Sequence, residues 1–204
     1  MQYLKEEVRK CIVQEALQEF KEFGYKGASI RNIAKNSNTS VGNMYKYFHS
    51  KEDLYENIIG SVYHKLMNYI EQFNKVDIND KAEYVFYELM EKVIEVFEEN
   101  STEIAILFNK SHGSKYENCK STFVEFINRI VTETTKYKLS VQGKKLKDNF
   151  IIYLISCSAV ESMAIILEQK EDGAEVRRYM LSIIDIFFMH LEDHLNKEEN
   201  LSIE

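Results

Sequence analysis

The stretch from Ser29 to Leu54 has the sequence SIRNIAKNSNTSVGNMYKYFHSKEDL, and its pattern decides the fold of the first quarter of the chain. Ser29 can cap a helix with its hydroxyl group. Apolar residues then follow at the spacing of a single helical face, namely Ile30, Ile33 and Ala34. Small polar residues at 36–39 favour a turn, in which Asn38 can adopt a left-handed conformation. The stretch therefore predicts a short helix that ends in a tight turn.

A second helix is predicted after this turn, with Thr39 or Ser40 as its N-cap. Helical spacing gives this helix an apolar face made of Val41, Met44, Tyr45 and Phe48. The residues left facing outward are Gly42, Asn43, Lys46 and Tyr47. Such a short, slightly basic face suits the major groove of DNA, because asparagine can bond an adenine edge while lysine and tyrosine can bond phosphate groups. The two helices are interpreted as a DNA-docking helix-turn-helix.

A third helix is predicted to begin at Lys51, with Ser50 as its cap and Asp53 at the capping-box position. Lys51 lies beside the positive end of this helix, where a phosphate group is held well. The predicted DNA contacts are Ser29, Thr39, Ser40, Val41, Gly42, Asn43, Tyr45, Lys46, Tyr47 and Lys51. The alternative for the two lysines is an ordinary solvated charge. Apolar residues of this region are interpreted as the core of a three-helix unit, not as DNA contacts: Phe20, Ile33, Ala34, Met44, Phe48 and Leu54.

Taken together, these residues resemble the TetR family of bacterial transcriptional repressors, over a region of roughly Val8 to Ile58. The family motifs correspond here to Phe20, Gly24-Tyr25 with Ser29, Ile33-Ala34, Tyr45, Tyr47, Phe48, Lys51 and Leu54. The chain departs from the family pattern at Ser37-Asn38-Thr39, where Ala-Gly-Val is usual, and at Val41, where a polar or basic residue is common. The resemblance implies a DNA-binding head on a helical body that dimerises and binds a small molecule.

The charge distribution supports a division into a head and a body. Residues 1–51 contain nine Lys and Arg against five Glu, a net charge of +4, while the whole chain has a net charge of −7. Residues 52–204 therefore carry −11. A basic N-terminal quarter on an acidic chain is typical of a small DNA-binding head on a body that does not bind DNA. Chance segregation of charge is the alternative. We predict a helix-turn-helix domain at 1–50 and a ligand-binding and dimerisation domain at 51–204.

The composition predicts an all-α fold. Proline is absent and glycine occurs only seven times in 204 residues, so few residues would interrupt long helices. No uninterrupted apolar segment of about 20 residues is recognised that would span a bilayer. The N-terminus also lacks the apolar stretch of a signal peptide, which predicts a cytoplasmic protein without a membrane association. Three cysteines, Cys11, Cys119 and Cys157, are far apart and are interpreted as free thiols.

Six helices are predicted by apolar periodicity in the body, and the first of them is the helix that begins at Lys51. Their expected ranges are 51–73, 80–99, 102–110, 117–136, 145–169 and 174–196. The best loop candidate is the small polar segment 111–115, and 170–173 is a charged break that ends in glycine. This break should let the last two helices fold back as a hairpin.

The last two helices are interpreted as a homodimer interface. They combine an apolar stripe with small residues that would let another helix approach closely. The predicted interface residues are Ser156, Ala159, Met163, Met180, Ile183, Ile184, Phe187, Phe188 and Leu191. The alternative is that these stripes pack only within one monomer. In the family that the chain resembles, such pairing places two recognition helices about 34 Å apart, so that the dimer binds a pseudo-palindromic operator.

A pocket for an unidentified and largely apolar small molecule is implied by the same resemblance. Its predicted residues are Tyr63, Met67, Phe86, Met90, Phe108, His112, Tyr116, Phe123, Tyr153 and Met163, although most of them could simply be core. His112 and Tyr116 are the candidates for polar anchors. Ligand binding would weaken DNA binding by roughly 5- to 150-fold if the ligand prefers the DNA-incompetent state by about 1 to 3 kcal/mol.

Enzymatic functions are disfavoured, because the common phosphate-loop, dinucleotide, nucleophile-elbow and zinc-protease motifs are absent from the sequence. No cofactor is predicted. His190 and His194 could bind a metal ion, but histidines near a helix C-terminus are also favoured by the helix dipole, so no metal site is predicted. The preferred function is a ligand-released repressor. The alternatives are an activator with the same head, or a helical small-molecule sensor or carrier that acts through a protein partner.

Overall fold

The structure, a computed structural model, describes residues 2–73, 75 and 82–188, and all of its regular elements in these ranges are helical. The predicted all-α fold is therefore confirmed. The helices are α1 (Gln2–Gly27), α2 (Ile30–Asn36), α3 (Val41–Met44), α4 (Lys51–Tyr55), a π-helical turn (Glu56–Gly60), α5 (Ser61–Phe73), α6 (Ala82–Glu99), α7 (Ser101–Asn109), α8 (Cys119–Val141), α9 (Phe150–Gln169) and α10 (Gly173–Phe188).

The described residues divide into two compact units. The first unit contains the residues up to Met67 together with Thr102–Lys120. The second contains Asn68–Ser101 together with the residues from Ser121 onward. The segments that follow residue 50 thus contribute to both units. The functional boundary at residue 50 stays a prediction, because these units are defined by packing alone.

The core of the first unit forms where the apolar faces of α1, α2, α3 and α4 meet. The edge of the Phe20 ring packs against Tyr55, with 4.8 Å between the ring centroids. The residues predicted as the core of a three-helix unit are all buried: Phe20, Ile33, Ala34, Met44, Phe48 and Leu54. Burying each of the large side chains contributes about 1.5–3 kcal/mol, which offsets the weak intrinsic stability of such short helices.

Helix α1 ends in a distorted turn at Gly24, whose φ is 69° and ψ is 172°. This conformation is almost restricted to glycine. The backbone there also approaches α7, because the N–H of Tyr25 donates to the carbonyl of Lys110 at 2.8 Å. A Cβ atom on Gly24 would lie 3.1 Å from that same carbonyl oxygen. Gly24 thus meets two requirements at once, a left-handed backbone and a close contact between two segments of the first unit.

Two helix predictions near the turn need correction. The apolar spacing predicts that the second helix continues to Phe48, but α3 ends at Met44. The next residues form tighter bonds between positions three apart, such as Lys46 N–H to Asn43 and Tyr47 N–H to Met44. A single helix is also predicted from Lys51 to Phe73, but it is interrupted by the π-helical turn. Such insertions are frequent at functional sites.

The second unit is held by apolar stripes on long helices. Phe97 of α6 lies against Phe123 of α8, with ring centroids 5.7 Å apart, and Phe73 packs edge-on against Phe126 at 5.8 Å. Helix α10 packs against both α6 and α9. The predicted α9–α10 hairpin is therefore confirmed within the described residues, although it begins at Phe150 instead of residue 145. The carboxylate of Asp148 accepts the Phe150 N–H at 3.0 Å and marks that start.

Helix α9 contains no uninterrupted apolar segment of about 20 residues, as predicted, but it is long and apolar enough on average to be a candidate membrane span. Its 20 residues pass that test by length and composition. Only two of them, Glu161 and Glu168, are charged. This is weak evidence for a membrane span, since core helices of soluble proteins pass the same test. Ile152, Val160 and Leu167 are buried inside the unit, as in such a core helix.

The three cysteines are free thiols, as predicted. Cys119 is buried in the first unit, and this burial raises the pKa of its thiol to about 12. A thiol with so high a pKa is a poor nucleophile. Cys11 and Cys157 are half-buried.

Candidate nucleic-acid interface

The first helix of the helix-turn-helix is fixed by capping bonds on both sides of Ser29. The Ser29 hydroxyl accepts the Asn32 N–H at 3.4 Å, which is the predicted N-cap. The Ser29 N–H itself donates to the carboxylate of Glu19 at 2.9 Å, and the same oxygen accepts the Asn32 side-chain amide at 3.2 Å. Glu19 is only 6% exposed. A buried carboxylate on α1 therefore holds the beginning of α2.

The turn between α2 and α3 has the predicted left-handed residue, since Asn38 has a φ of 51°. The buried Ser37 hydroxyl donates to the carbonyl of Ile33 at 2.5 Å, and the Thr39 N–H donates to Ala34 at 2.9 Å. These bonds satisfy the last carbonyls of α2. The direction in which the chain enters α3 is thereby set by the turn itself.

Helix α3 begins at its predicted cap, where the Ser40 hydroxyl accepts the Asn43 N–H at 3.1 Å. The Asn43 side-chain amide donates to the Thr39 hydroxyl at 2.8 Å. Asn43 is thus held against the start of its own helix. This bond uses one of the two amide hydrogens, so the second N–H and the side-chain oxygen of Asn43 are left for an adenine edge.

The outward face of this region differs from the prediction at two tyrosines. Tyr45, which helical spacing places on the apolar face, is 42% exposed, whereas Tyr47, which it places outside, is half-buried. The tighter bonds after Met44 rotate successive side chains by about 120° instead of about 100°, which shifts both rings around the axis. Lys46 and Gly42 are outward-facing as predicted. A Cβ atom on Gly42 would meet no other atom within 4 Å, so the backbone there is open to a partner.

Helix α4 has the predicted cap, because the Ser50 hydroxyl accepts the Asp53 N–H at 3.0 Å. The Asp53 carboxylate accepts the His49 N–H at 2.8 Å. Lys51 does not point away from the protein as a free charge would. Its ammonium group donates to the carbonyls of Tyr25 and Ala28, at 2.7 and 3.2 Å.

Most basic side chains of the first 50 residues are exposed. The exposed ones in the first 50 residues are Lys5, Lys10, Lys26, Arg31, Lys35 and Lys46. Arg9 instead covers the ring of Phe48, with its guanidinium carbon 5.2 Å from the ring centroid. The positive charge that the sequence concentrates in this region is therefore largely solvent-facing, as required for an attraction to DNA phosphates.

A polar cluster that the sequence did not single out lies in the same unit at the π-helical turn. The Glu56 carboxylate accepts the Tyr116 hydroxyl and pairs with Lys115 at 2.7 Å. Burial favours a higher pKa for Glu56, but the bonds from Lys115 and Tyr116 outweigh it, and the pKa is lowered. Gly60 makes room for this cluster, since a Cβ atom there would lie 2.6 Å from the Glu56 carboxylate and 3.1 Å from the Tyr116 hydroxyl.

Tyrosines reinforce that cluster. The Tyr55 hydroxyl is bonded to the Ser111 hydroxyl at 2.7 Å, and burial raises the pKa of Tyr55 to about 12. Burial and the Glu56 carboxylate likewise raise the pKa of Tyr116, whose ring lies 4.3 Å from that of Tyr63. The segment 111–116 is thus bound to the helix that follows the DNA-binding motif. These bonds join residues that are far apart in the sequence, so no local sequence pattern predicts them.

The predicted ligand residues are distributed over both compact units. Tyr63, Met67, Phe108, His112 and Tyr116 belong to the first unit, and Met90, Phe123, Tyr153 and Met163 to the second. His112 is exposed and lies 3.4 Å from the Glu117 carboxylate, and Tyr153 is 44% exposed. Phe108, Phe123, Met90 and Met163 are buried. Phe86 has a side chain outside the described part of the chain. The ligand role of all ten stays a prediction.

The predicted dimer residues fall into two groups. Ser156, Ala159, Met163 and Met180 are buried within the second unit. Ile183, Ile184, Phe187 and Phe188 are half-buried, and Leu191 lies outside the described residues. The fully buried group already has neighbours inside the monomer, so its members offer no surface to a second copy. The exposed apolar side chains of these helices are different residues: Phe150, Ile151, Tyr153, Leu154, Ile165, Leu181 and Ile186.

Within the described ranges there is no group of three or more His, Cys, Asp or Glu side chains that could hold a metal ion. The pair His190 and His194 lies outside those ranges.

Residues 12–58 match the sequence pattern of the bacterial regulatory proteins of the tetR family. No curated protein sequence matches the chain. Among solved structures, a proposed fatty acid metabolism regulator of Clostridium perfringens is similar, with a TM-score of 0.56 and 19% identity over 87% of this chain and 96% of that one. The TetR family regulator PfmR of Thermus thermophilus has a TM-score of 0.55 and 21% identity, covering 87% and 94%.

A third similar structure is the fatty acid degradation regulator FadR of Bacillus halodurans, with a TM-score of 0.54 and 16% identity, covering 90% of this chain and 95% of that one. At these identities the likeness is one of fold. The match to the N-terminal domain covers the helix-turn-helix and its capping residues. Residues 12–58 thus match the N-terminal domain of the bacterial regulatory proteins of the tetR family, and the fold of the chain is similar to that of these solved regulators.

Proposed function

We propose that the protein is a transcriptional repressor that binds a pseudo-palindromic operator as a homodimer and leaves it when a small molecule binds. The observation that carries the DNA-binding part is the capped helix-turn-helix, in which Gly42, Tyr45 and Lys46 are accessible on one short segment. Lys46 and Tyr45 are suited to phosphate contacts, and the open backbone at Gly42 allows close approach to a groove. The proposed DNA contacts are nine of the ten residues predicted from the sequence, and the tenth, Lys51, is considered separately below.

The test is selection of a DNA duplex from a random pool by the purified full-length protein. We expect an enriched sequence with two half-sites about one helical turn apart, and binding that weakens steeply with salt. Lys46→Met should reduce the slope of log affinity against log salt by about 1 for each lost phosphate contact. Lys144→Met, which changes an exposed lysine of the second unit, should leave that slope unchanged. Enrichment of no sequence would contradict the proposal.

The homodimer is favoured by the exposed apolar side chains on α9 and α10. Leu154 and Ile165 on α9 are 42% and 47% exposed, and Leu181 and Ile186 on α10 are 41% and 70% exposed. A second copy that packed against these helices would remove such apolar side chains from water. We propose that two such helix pairs form a four-helix interface, with Ile183, Ile184, Phe187 and Phe188 at its margin. Sedimentation of Leu154→Glu should show a monomer where the wild type sediments as a dimer.

Ile12→Val, a change within the core of the first unit, is the control for that experiment, because it should leave the dimer intact. A wild-type protein that sediments as a monomer at all concentrations would refute the dimer, whatever its DNA binding.

The ligand proposal draws on two polar atoms in the second unit. Asn128 Oδ1 and Thr132 Oγ1 on α8 are buried and have no hydrogen-bond partner among the described residues. These residues are four apart and lie on neighbouring turns of one helix face. A buried polar group without a partner costs about 1–3 kcal/mol, so a ligand that supplies the missing bond would bind with that advantage. We propose an apolar molecule with one hydrogen-bond donor, such as an alcohol or an amide.

Two of the similar structures are described as regulators of fatty acid metabolism or degradation. At 16–19% identity this likeness is one of fold, so the ligand class proposed for this chain rests on α8. The probes are decanol and decane, which differ only in the hydroxyl group. We expect decanol to raise the melting temperature and release the selected DNA more effectively than decane. Thr132→Val should reduce this difference, because only Asn128 Oδ1 then remains to accept the bond. Equal effects of both probes on the wild type would refute the polar anchor.

A sensor or carrier that acts through a protein partner is the second candidate, and it would bind decanol without any preference for a DNA sequence. Activation instead of repression is compatible with the same head, because the position of the operator decides the outcome. A reporter gene under the selected operator distinguishes repression from activation, because deletion of a repressor raises expression and deletion of an activator lowers it. We place this regulator in the cytoplasm, where its DNA is.

A further inference from the structure

The ammonium group of Lys51 is surrounded by the end of α1. Its three N–H donors face three backbone carbonyls, those of Tyr25 at 2.7 Å, Ala28 at 3.2 Å and Lys26 at 3.4 Å. The last carbonyls of any helix lack partners within the helix, and a positive charge at that end is also favoured by the helix dipole. Lys51 thus satisfies the acceptors that α1 leaves open.

The surroundings of this lysine differ from those of an exposed phosphate-binding lysine. Its nitrogen lies 4.8 Å from the centroid of the Tyr25 ring. Partial burial lowers the pKa of the Lys51 ammonium group. To contact a phosphate group directly, Lys51 would have to give up bonds to carbonyls that have few other donors. Lys46, by comparison, has an exposed side chain.

One of the carbonyls that Lys51 bonds belongs to the residue just before the helix-turn-helix. Ala28 directly precedes Ser29, the residue that caps α2. The opposite side of that cap is held by Glu19, which accepts the Ser29 N–H. The corner between α1 and α2 is therefore held by a cation from α4 and by a carboxylate from α1. Both bonds have to persist for α2, and with it α3, to keep a fixed direction.

We infer that Lys51 is a positioning residue, which holds the α1–α2 corner and through it the recognition helix, and that it makes no phosphate contact. The inference rests on the proposed DNA binding and replaces the phosphate role that the sequence suggested for this residue. Its consequence is specific. Loss of Lys51 should weaken DNA binding by the same factor at every salt concentration, because no phosphate contact is lost with it.

The experiment compares Lys51→Met with Lys46→Met in the full-length protein, using the DNA duplex selected by the wild type. Lys51→Met should reduce affinity roughly tenfold, the effect of losing a charge-assisted bond, while the salt slope stays at the wild-type value. Lys46→Met should reduce the slope. Affinity is measured well below the melting temperature of each variant, so that only folded protein is compared. Lys51→Arg, which keeps a positive charge at the end of α1, should restore part of the affinity.

Two results would overturn the inference. A salt slope that falls with Lys51→Met as far as with Lys46→Met would identify a phosphate contact. An unchanged affinity in a variant that only melts earlier would reduce Lys51 to a general stabilising role.

Hydrogen exchange provides a readout that needs no DNA and separates this inference from the proposed function. The amides of Ala28, Ser29 and Asn32 should lose protection in Lys51→Met, whereas those of α9 should not change. If their protection is unchanged, the corner is not held by Lys51, whether or not the protein binds DNA. If the wild type selects no duplex but the corner loses protection, the proposed function fails and the positioning of this corner stands.

Discussion

The first unit, which contains the helix-turn-helix, and the second unit differ in how the hydrogen bonds of their buried polar groups are satisfied. Around α2 and α3, nearly every turn is held by a named bond, such as Ser37 to Ile33, Ser40 to Asn43 and Glu19 to Ser29. On α8 the buried oxygens of Asn128 and Thr132 have no partner among the described residues. Short helices have too little apolar surface to fix their directions, so they depend on such bonds. Long helices fold on their apolar stripes and can tolerate unpaired polar groups.

The largest expected loss of stability follows from a substitution of Gly24 in the first unit. In Gly24→Ala the added Cβ meets the Lys110 carbonyl at 3.1 Å, and the backbone keeps a conformation that alanine disfavours. We expect a loss of about 1–3 kcal/mol in the free energy of unfolding, measured by urea denaturation. Gly27→Ala is the matched control, since its Cβ would meet nothing closer than 3.4 Å. Equal losses in both variants would contradict this explanation.

The next prediction is a pair of substitutions with opposite signs. Ser37→Ala removes a bonded, buried hydroxyl from the first unit and should cost about 1 kcal/mol. Thr132→Val removes an unpaired, buried hydroxyl from the second and should stabilise it by about the same amount. Thermal denaturation of both variants checks the signs. Thr122→Val, at a less buried position of α8, should change little, and destabilisation by Thr132→Val would show that its hydroxyl is satisfied after all.

A smaller effect concerns pH and the polar cluster of the first unit. The pKa of Glu56 is lowered in the folded protein from its usual 4.5, because Lys115 and Tyr116 bond the carboxylate and outweigh its burial. This group therefore stabilises the fold above pH 4.5, and its contribution is lost as the pH falls through the lowered value. Glu56→Gln should flatten the decline of the melting temperature between about pH 5 and pH 3. A decline as steep as in the wild type would rule out this contribution.

The smallest effect is expected in the second unit, at the ion pair of Arg177 with Glu91 and Glu98, 2.5 and 3.5 Å away. These side chains are roughly one third to one half exposed, and such pairs contribute about 0–1 kcal/mol. Arg177→Gln should therefore lower stability by less than about 1 kcal/mol, and by less still at high salt. Denaturation at low and high salt measures this, and a large loss that is independent of salt would point to a packing role.

Local patterns in the sequence were sufficient to predict the helix caps and the buried apolar residues of the first unit. Ser29, Ser40 and Ser50 cap the helices that they were expected to cap, because a cap depends only on residues within one turn. Asn38 is left-handed for the same local reason. The buried apolar residues followed from helical spacing.

Contacts between distant residues could not be predicted in this way. The periodicity that predicts a helix to Phe48 contains no information on the tighter turn after Met44. For this reason Tyr45 is exposed where it was predicted to face the core, and Tyr47 is half-buried where it was predicted to face outward. Lys51 was interpreted from its position at a helix start, whereas its partners come from the end of another helix. A stripe also does not show which of its residues a neighbouring helix covers, so the burial of Ser156 and Met180 within the monomer could not be predicted.

The hydrogen bond between Tyr25 and Lys110 has a consequence for how this protein can be divided. The match to the family ends at residue 58, yet the distorted turn of α1 is completed by a residue synthesised much later. During translation the first unit lacks this bond until α7 has left the ribosome. A chimera that joins these first residues to the body of another regulator would keep it only if that body brings a backbone carbonyl to the same place, and transfer of Thr102–Lys120 would ensure this. The exchangeable part of this protein is therefore discontinuous in the chain.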